Sequence, residues 1–246
     1  MARSSEVPTF RHEALAVVFK ITQFEAGGRG ELAVLAWQRT RDPYEGAWAL
    51  PSGPVQAGET IGACVARNLA SKVDLAEIAH LEQLETRSEP DRDPFQRTIA
   101  TAYLGLVPST AKPQLPPNAA WIRTEELPTM AFDHASLVRS AMERLERKLS
   151  YSNIGFGLAP AEFTLAQLRD IYRAALGYDV SATNLQRVLK RRGQLEPTGR
   201  TAAAGGSGGR PAALYRFTRQ SLQITDPFAA FRPEHPDKAG QTVHGD

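Results

Sequence analysis

The sequence predicts an α+β chain in two parts, a sheet-and-helix domain followed by a small basic helix–turn–helix module with a β-hairpin. Three observations predict it. Segments with a two-residue apolar alternation dominate the first 132 residues, interrupted by one amphipathic helix. From Thr164 two short helical periods follow each other across a tight turn and run into a Gly-rich hairpin. Charge divides the same way: residues 1–132 hold 13 Lys+Arg against 16 Asp+Glu, whereas residues 160–220 hold 10 against 4. The expected organisation is a first domain at 11–132, a linker helix and joint at 133–159, a second domain at 160–220, and a disordered tail at 221–246. A basic module attached to an acidic one points to a polyanion partner for the second part alone.

Composition excludes several classes. The lone cysteine, Cys64, rules out an internal disulfide and a cysteine zinc site, and the five histidines show no ligand spacing, so no metal is expected. The start, MARSSEVPTF, has no apolar targeting core, and no run approaches the roughly 18 apolar residues of a spanning helix. The expectation is a cytoplasmic protein with no membrane partner.

The elements follow in order. Ala14 to Ile21 is a strand with Leu15, Val17, Phe19 and Ile21 on one side, and Glu31 to Arg39 alternates in the same way. Pro43 to Gly53 is a loop, and Thr60 to about Val73 is a helix on which Ile61, Val65 and Leu69 share a face. Leu81 to Ser88 and Thr98 to Val107 read as strands around the charged turn EPDRDP, and Ala119 to Leu127 as a strand with an acidic turn. Asp133 is the expected N-cap of a helix from His134 to about Leu149, with Leu137, Ala141, Leu145 and Leu149 as its stripe. Tyr151 to Pro160 reads as a linker in which Gly155 and Gly157 could absorb a backbone rotation. Thr164-Leu-Ala-Gln167 is a capping box opening a helix with Leu165, Leu168, Ile171, Tyr172 and Ala175 inward. A second helix runs from Ala182 to Arg192, then strands at Leu195–Thr198 and Ala213–Phe217 flank GRTAAAGGSGG, giving a winged helix-turn-helix. From Pro227 the composition is that of a disordered tail.

The stretch Gly53 to Leu75, GPVQAGETIGACVARNLASKVDL, resembles the Nudix box. Gly53, Glu59 and Arg67 fall at that pattern's spacings, and Gly46, Trp48, Pro51 and Gly53 resemble the run that precedes it. The resemblance implies an α/β/α sandwich with a mixed sheet. The three carboxylate positions that would hold a divalent cation read Asn68, Ser71 and Lys72, and the late glycine reads Asp74. Magnesium requires hard oxygen ligands, so two neutral side chains and a cation predict a domain that binds without hydrolysing.

The second helix of the winged module carries Thr183, Asn184, Gln186, Arg187, Lys190 and Arg191 off its apolar face. Asn, Gln and Arg can read base edges, while Lys and Arg neutralise phosphate. Arg200 and Arg210 flank the hairpin glycines and complete the expected DNA-binding set. A solvated helix face and a surface loop are the plainer alternatives.

With SEPDRDPFQR (88–97), YSNIGFGLAPAEFTLAQLRDIYRAALG (151–177) and GGRPAALYRF (208–217), the chain resembles the NrtR family of Nudix-related regulators of bacterial NAD metabolism. That resemblance implies a homodimeric repressor of NAD biosynthesis genes, double-stranded operator DNA as partner, and ADP-ribose or a related nucleotide as effector, with no cofactor required. The expected pocket is Arg39, Trp48, Glu59, Arg87, Arg92 and Arg97, since guanidinium forks suit a diphosphate. Packing is the favoured role for Trp48 and phosphate contact that for Arg92. The competing expectation is an active ADP-ribose pyrophosphatase using Glu59 with Glu82, Glu85 or Glu89.

Overall fold

The structure is a computed structural model and describes residues 8–23, 29–75, 78–202 and 211–226. Its centre is β1 (Arg11–Thr22), buried from Ala14 to Ile21. Around it lie β2 (Glu31–Gln38), β3 (Trp48–Ala49), β4 (Ser52–Pro54), β5 (His80–Arg87), β6 (Thr98–Leu106) and β7 (Ala119–Arg123). Among the described residues these form one seven-stranded sheet in the order β3-β2-β1-β6-β5, with β4 also on β1 and β7 on β2. The β1–β6 pair is parallel and the others antiparallel, so the sheet is mixed.

The strand alternation assigns the two faces. Ala14, Ala16 and Val18 join Cys64, Val65, Leu69 and Val73 of α1 (Ile61–Val73) in one core. Leu15, Val17, Phe19 and Ile21 join Leu137, Val138, Ala141, Leu145 and Leu149 of α2 (His134–Tyr151) in the other. A sheet apolar on both faces must be covered on both, and the result is the α/β/α sandwich that the box implies.

One expectation about α2 changes. Asp133 does not cap it with its side chain, because that carboxylate accepts instead from Arg92. The stripe Leu137–Leu149 packs on the sheet of the same chain.

The winged module comprises β8 (Phe163–Thr164), α3 (Leu165–Leu176), α4 (Ala182–Arg191), β9 (Leu195–Thr201) and β10 (Ala213–Phe217). The capping box is present: the Gln167 amide donates to Thr164 Oγ1 at 3.2 Å, and the Thr164 amide to Gln167 Oε1 at 2.8 Å. Gly177 ends α3 at φ 75°, the left-handed position that glycine takes without a Cβ penalty. Phe163, Leu168, Ile171, Tyr172, Leu189 and Phe217 belong to the same buried cluster as Leu15 and Phe19, so the two modules share one core.

The joint is therefore no flexible linker. Ile154–Gly157 is a buried 3-10 turn. Its glycines serve close approach: a Cβ on Gly155 would lie 2.8 Å from Tyr172 Oη, and one on Gly157 2.8 Å from Leu106 Cβ. Phe156 sits edge-on to His80 of the sheet domain at 5.9 Å. Residues 221–226, expected to open the tail, instead close over this joint. Ile224 bridges Ser152, the Asn153 amide donates to Gln223 O at 3.1 Å, and Arg192 pairs with Asp226 at 2.6 Å. The rest of the expected tail lies outside the described residues. Among the described residues no helix is long and apolar enough to cross a membrane.

Candidate nucleotide cleft and DNA-facing helix

A cleft of about 410 Å³ opens at the box. Its walls come from the start of β1 with Arg11 and Glu13, the end of β2 with Trp37 running on to Arg39 and Arg41, β4, Lys72 in the last turn of α1, the turn carrying Asp93 and Phe95, and Phe132. Register explains the convergence, because Glu13, Ala14 and Leu15 pair with Pro54, Gly53 and Ser52. The box loop is pinned separately. Glu59 accepts two hydrogen bonds from Arg67, at 3.0 and 2.5 Å, and one from the Gln56 amide at 2.8 Å. These bonds hold its carboxyl down at about 2.

The helix face that the intact pattern gives to carboxylates is otherwise occupied. Asn68 is buried, donates its amide to Cys64 O at 2.8 Å, and lies so close beneath Gly53 that a Cβ there would meet its side chain at 2.3 Å. Ser71 is exposed. Lys72 Nζ donates to Ser52 O and lies 4.8 Å from the centre of the Trp37 ring. Burial pushes the Lys72 pKa down, opposed by Glu13 and reinforced by Arg41, Arg39 and Arg11. Asp74 ends α1 at φ 50°, the left-handed conformation that suits the glycine of the intact pattern. Among the described residues no three His, Cys, Asp or Glu side chains gather into a metal-sized group.

Of the six residues expected in a nucleotide pocket, the cleft contains Arg39. Its guanidinium lies 5.0 Å over the Phe132 ring and its Nε donates to Pro43 O at 2.6 Å. Trp48 packs against the core from the sheet edge. Glu59 is committed to Arg67 as described. Arg87 bonds Glu85 at 2.6 Å and Ser140 at 3.2 Å, facing α2. Arg92 is turned inward, its side chain 4% exposed, and grips Asp133 at 2.7 Å. Arg97 donates to Glu89 O at 3.2 Å and covers Phe10. Sequence reasoning missed Arg11, Arg41 and Phe95 of the cleft wall, although the adjacent Arg39–Arg41 spacing was a usable signal. Two further carboxylates considered as ligands are also engaged: Glu82 holds His80 at 3.0 Å and Lys148 at 2.6 Å, and Glu85 holds Arg87.

On the winged module, Ser181 caps α4 by accepting from the Asn184 amide at 3.4 Å. Leu189 is buried, while Thr183, Asn184, Arg187, Lys190 and Arg191 are exposed along one side. Arg187 Nη2 donates to Asn184 Oδ1 at 2.7 Å, which orients both side chains. Gln186 is half-buried, reaching Tyr215 Oη at 3.4 Å, and Lys190 lies 5.1 Å over the same ring. Arg200 is exposed on β9 and paired with Glu162 at 2.9 Å, and Arg210 lies outside the described residues.

Fold and surfaces together define a class: a Nudix-type sandwich built onto a winged helix-turn-helix. Residues 14–141 match the NUDIX domain, and residues 155–217 match the NrtR DNA-binding winged helix domain. The chain is 31% identical over 214 residues to the ADPR responsive transcriptional repressor NtrR of Acinetobacter baylyi, covering 84% of each protein. It is 30% identical over 112 residues to an ADP-ribose pyrophosphatase of Methanocaldococcus jannaschii, covering 44% of this chain and 65% of that protein. It is also similar to the crystal structure of Shewanella oneidensis NrtR complexed with a 27mer DNA, with a TM-score of 0.69 at 27% identity, over 84% of this chain and 93% of that one. The chain belongs to the NrtR family of Nudix-related transcriptional regulators.

Proposed function

We propose that this chain is a dimeric, operator-binding repressor of NAD biosynthesis genes whose Nudix domain senses ADP-ribose or a related nucleotide without hydrolysing it. The observation that carries the reading is the shared core: the module that presents the exposed polar face of α4 is packed onto the domain that holds the cleft. A ligand that shifts one must be accommodated by the other. The A. baylyi relative, whose name describes an ADPR responsive repressor, supports the ligand and the direction of control. The family resemblance supports NAD biosynthesis as the target and a homodimer as the binding unit. A two-fold dimer would present two α4 helices to half-sites about one DNA turn apart.

The non-hydrolytic part rests on Asn68, Ser71 and Lys72. An intact box uses carboxylates there to hold a divalent cation against a diphosphate. Here one position is a buried amide, one a neutral hydroxyl and one an ammonium, which do not fit that cation. Two experiments test the reading. Genomic fragments selected by the purified protein should contain two-fold sites upstream of NAD biosynthesis genes, and ADP-ribose should release them. Incubation with ADP-ribose and Mg²⁺ should yield no AMP. Turnover of about 1 per second or faster would instead favour the pyrophosphatase reading.

A further inference from the structure

Lys72 is more than a lost ligand. Its ammonium lies 4.8 Å over the ring of Trp37, whose indole N–H is itself fixed on Leu50 O at 3.2 Å, and is anchored on Ser52 O at the cleft wall. An ammonium has three donors, and that contact uses one. The last turn of a helix favours a cation, so the position is electrostatically sound. Arg39 spends its Nε on Pro43, and its terminal nitrogens carry no protein hydrogen bond among the described residues. Arg11 and Arg41 line the same cleft. Three carboxylates line the cleft as well: Glu13 accepts from Ser52 and pairs with Arg11, Asp93 accepts from the Phe95 amide and from Thr98, and Asp42 follows Arg41 in the chain. Four cations, the fixed ammonium among them, thus face three carboxylates of which two are partly spent on protein donors. That arrangement favours a dianion over a divalent metal.

We propose that Lys72, with Arg39 and Arg41, replaces the metal of an intact box with fixed protein cations, so that the cleft holds the diphosphate of its nucleotide directly and independently of Mg²⁺. The inference rests on the nucleotide-sensing reading above and adds the means of recognition to it. It also explains how a box without its carboxylates can lose hydrolysis while keeping affinity. A metal activates and orients a nucleophile as well as neutralising charge, whereas an ammonium supplies charge and hydrogen-bond donors but activates no water.

The test is calorimetric titration of the full-length protein with ADP-ribose in EDTA and in Mg²⁺. The expected result is the same affinity in both buffers. Lys72→Met, which keeps an unbranched side chain without the charge, should bind at least about tenfold more weakly, and Lys72→Arg should stay close to wild type. Operator binding and thermal melting of each variant report its folding, and the wild-type comparison between buffers needs no variant. Binding that is lost in EDTA and restored by Mg²⁺, or a folded Lys72→Met that binds like wild type, would overturn the proposal. A wild-type protein that binds no ADP-ribose in either buffer would overturn the sensing reading itself, and this inference with it.

Discussion

Gly155 lies so close to Tyr172 that a Cβ added to it would fall 2.8 Å from the tyrosine hydroxyl and 2.9 Å from Cε2 of the ring. Tyr172 is buried on α3 and its hydroxyl has no hydrogen-bond partner among the described residues, so the pair packs the joint onto the winged module by contact alone. Gly155→Ala must displace this ring and should cost about 1–3 kcal/mol. Urea unfolding measures it. Because the core is shared, tryptophan fluorescence from Trp37, Trp48 and Trp121 should report the same transition as helical circular dichroism. Two separate transitions in the wild type would contradict the shared core.

His134 gives the fold a dependence on pH. The ring is buried and its Nδ1 accepts the Leu50 amide at 3.0 Å, so it is neutral. Burial pushes its pKa down to about 4, with Arg92 and Arg39 acting in the same direction and Asp133 against. Unfolding restores the ordinary value near 6.5. The unfolded chain thus binds the extra proton first, and stability falls as pH drops from about 6.5 towards 4. The loss should be on the order of 3 kcal/mol. His134→Asn, whose amide oxygen can replace Nδ1 as acceptor, should flatten that part of a stability–pH curve measured by urea midpoints. An unchanged curve would show that His134 is not the titrating group.

Arg92 and Arg39 should separate stability from ligand binding. Arg92→Met leaves Asp133 without its nearly buried partner and should lower stability by about 2–3 kcal/mol. Arg39→Met should weaken ADP-ribose binding with a smaller effect on melting. The contrast is read from thermal melts and calorimetry on the same preparations. Equal melting temperatures for Arg92→Met and wild type would return Arg92 to the candidates for phosphate contact.

On α4, Arg187 and Asn184 form an oriented pair, while Lys190 and Arg191 stand further along the same exposed side. Arg187→Ala should cost roughly 1–3 kcal/mol and relax preference at one position of each half-site. Arg191→Ala should weaken all sequences alike and flatten the salt dependence. Fluorescence anisotropy on a panel of single-base variants separates the two. A uniform loss for Arg187→Ala would reverse the assignment.

The sheet domain was legible because its signals are local. The alternation of Leu15, Val17 and Phe19 against Ala14, Ala16 and Val18 assigns both faces, and the Thr164–Gln167 pair marks the start of α3. The cleft was legible only in part. Arg39 could be chosen by residue type, but Arg11 enters through the pairing of β1 with β4, which no local pattern encodes. Arg92 is engaged by Asp133, 41 residues away, a pairing that likewise no local pattern encodes. Gly155 and Gly157 suggest a hinge in sequence, and only the packing of Tyr172 and Leu106 against them reveals close contact. Residues 221–226 look like tail by composition, and their bonds to Tyr151 and Asn153 are long-range backbone contacts.

Coupling between the cleft and α4 is the claim on which the proposed function stands. It is tested most directly by titrating ADP-ribose with and without operator DNA, and operator with and without ADP-ribose, at one salt concentration. Linkage requires each ligand to weaken the other by the same factor, and a switch of ordinary size gives about 5–150-fold. The account predicts equal factors within that range. Measurable binding of both ligands, each with an affinity unchanged by the other, would contradict it.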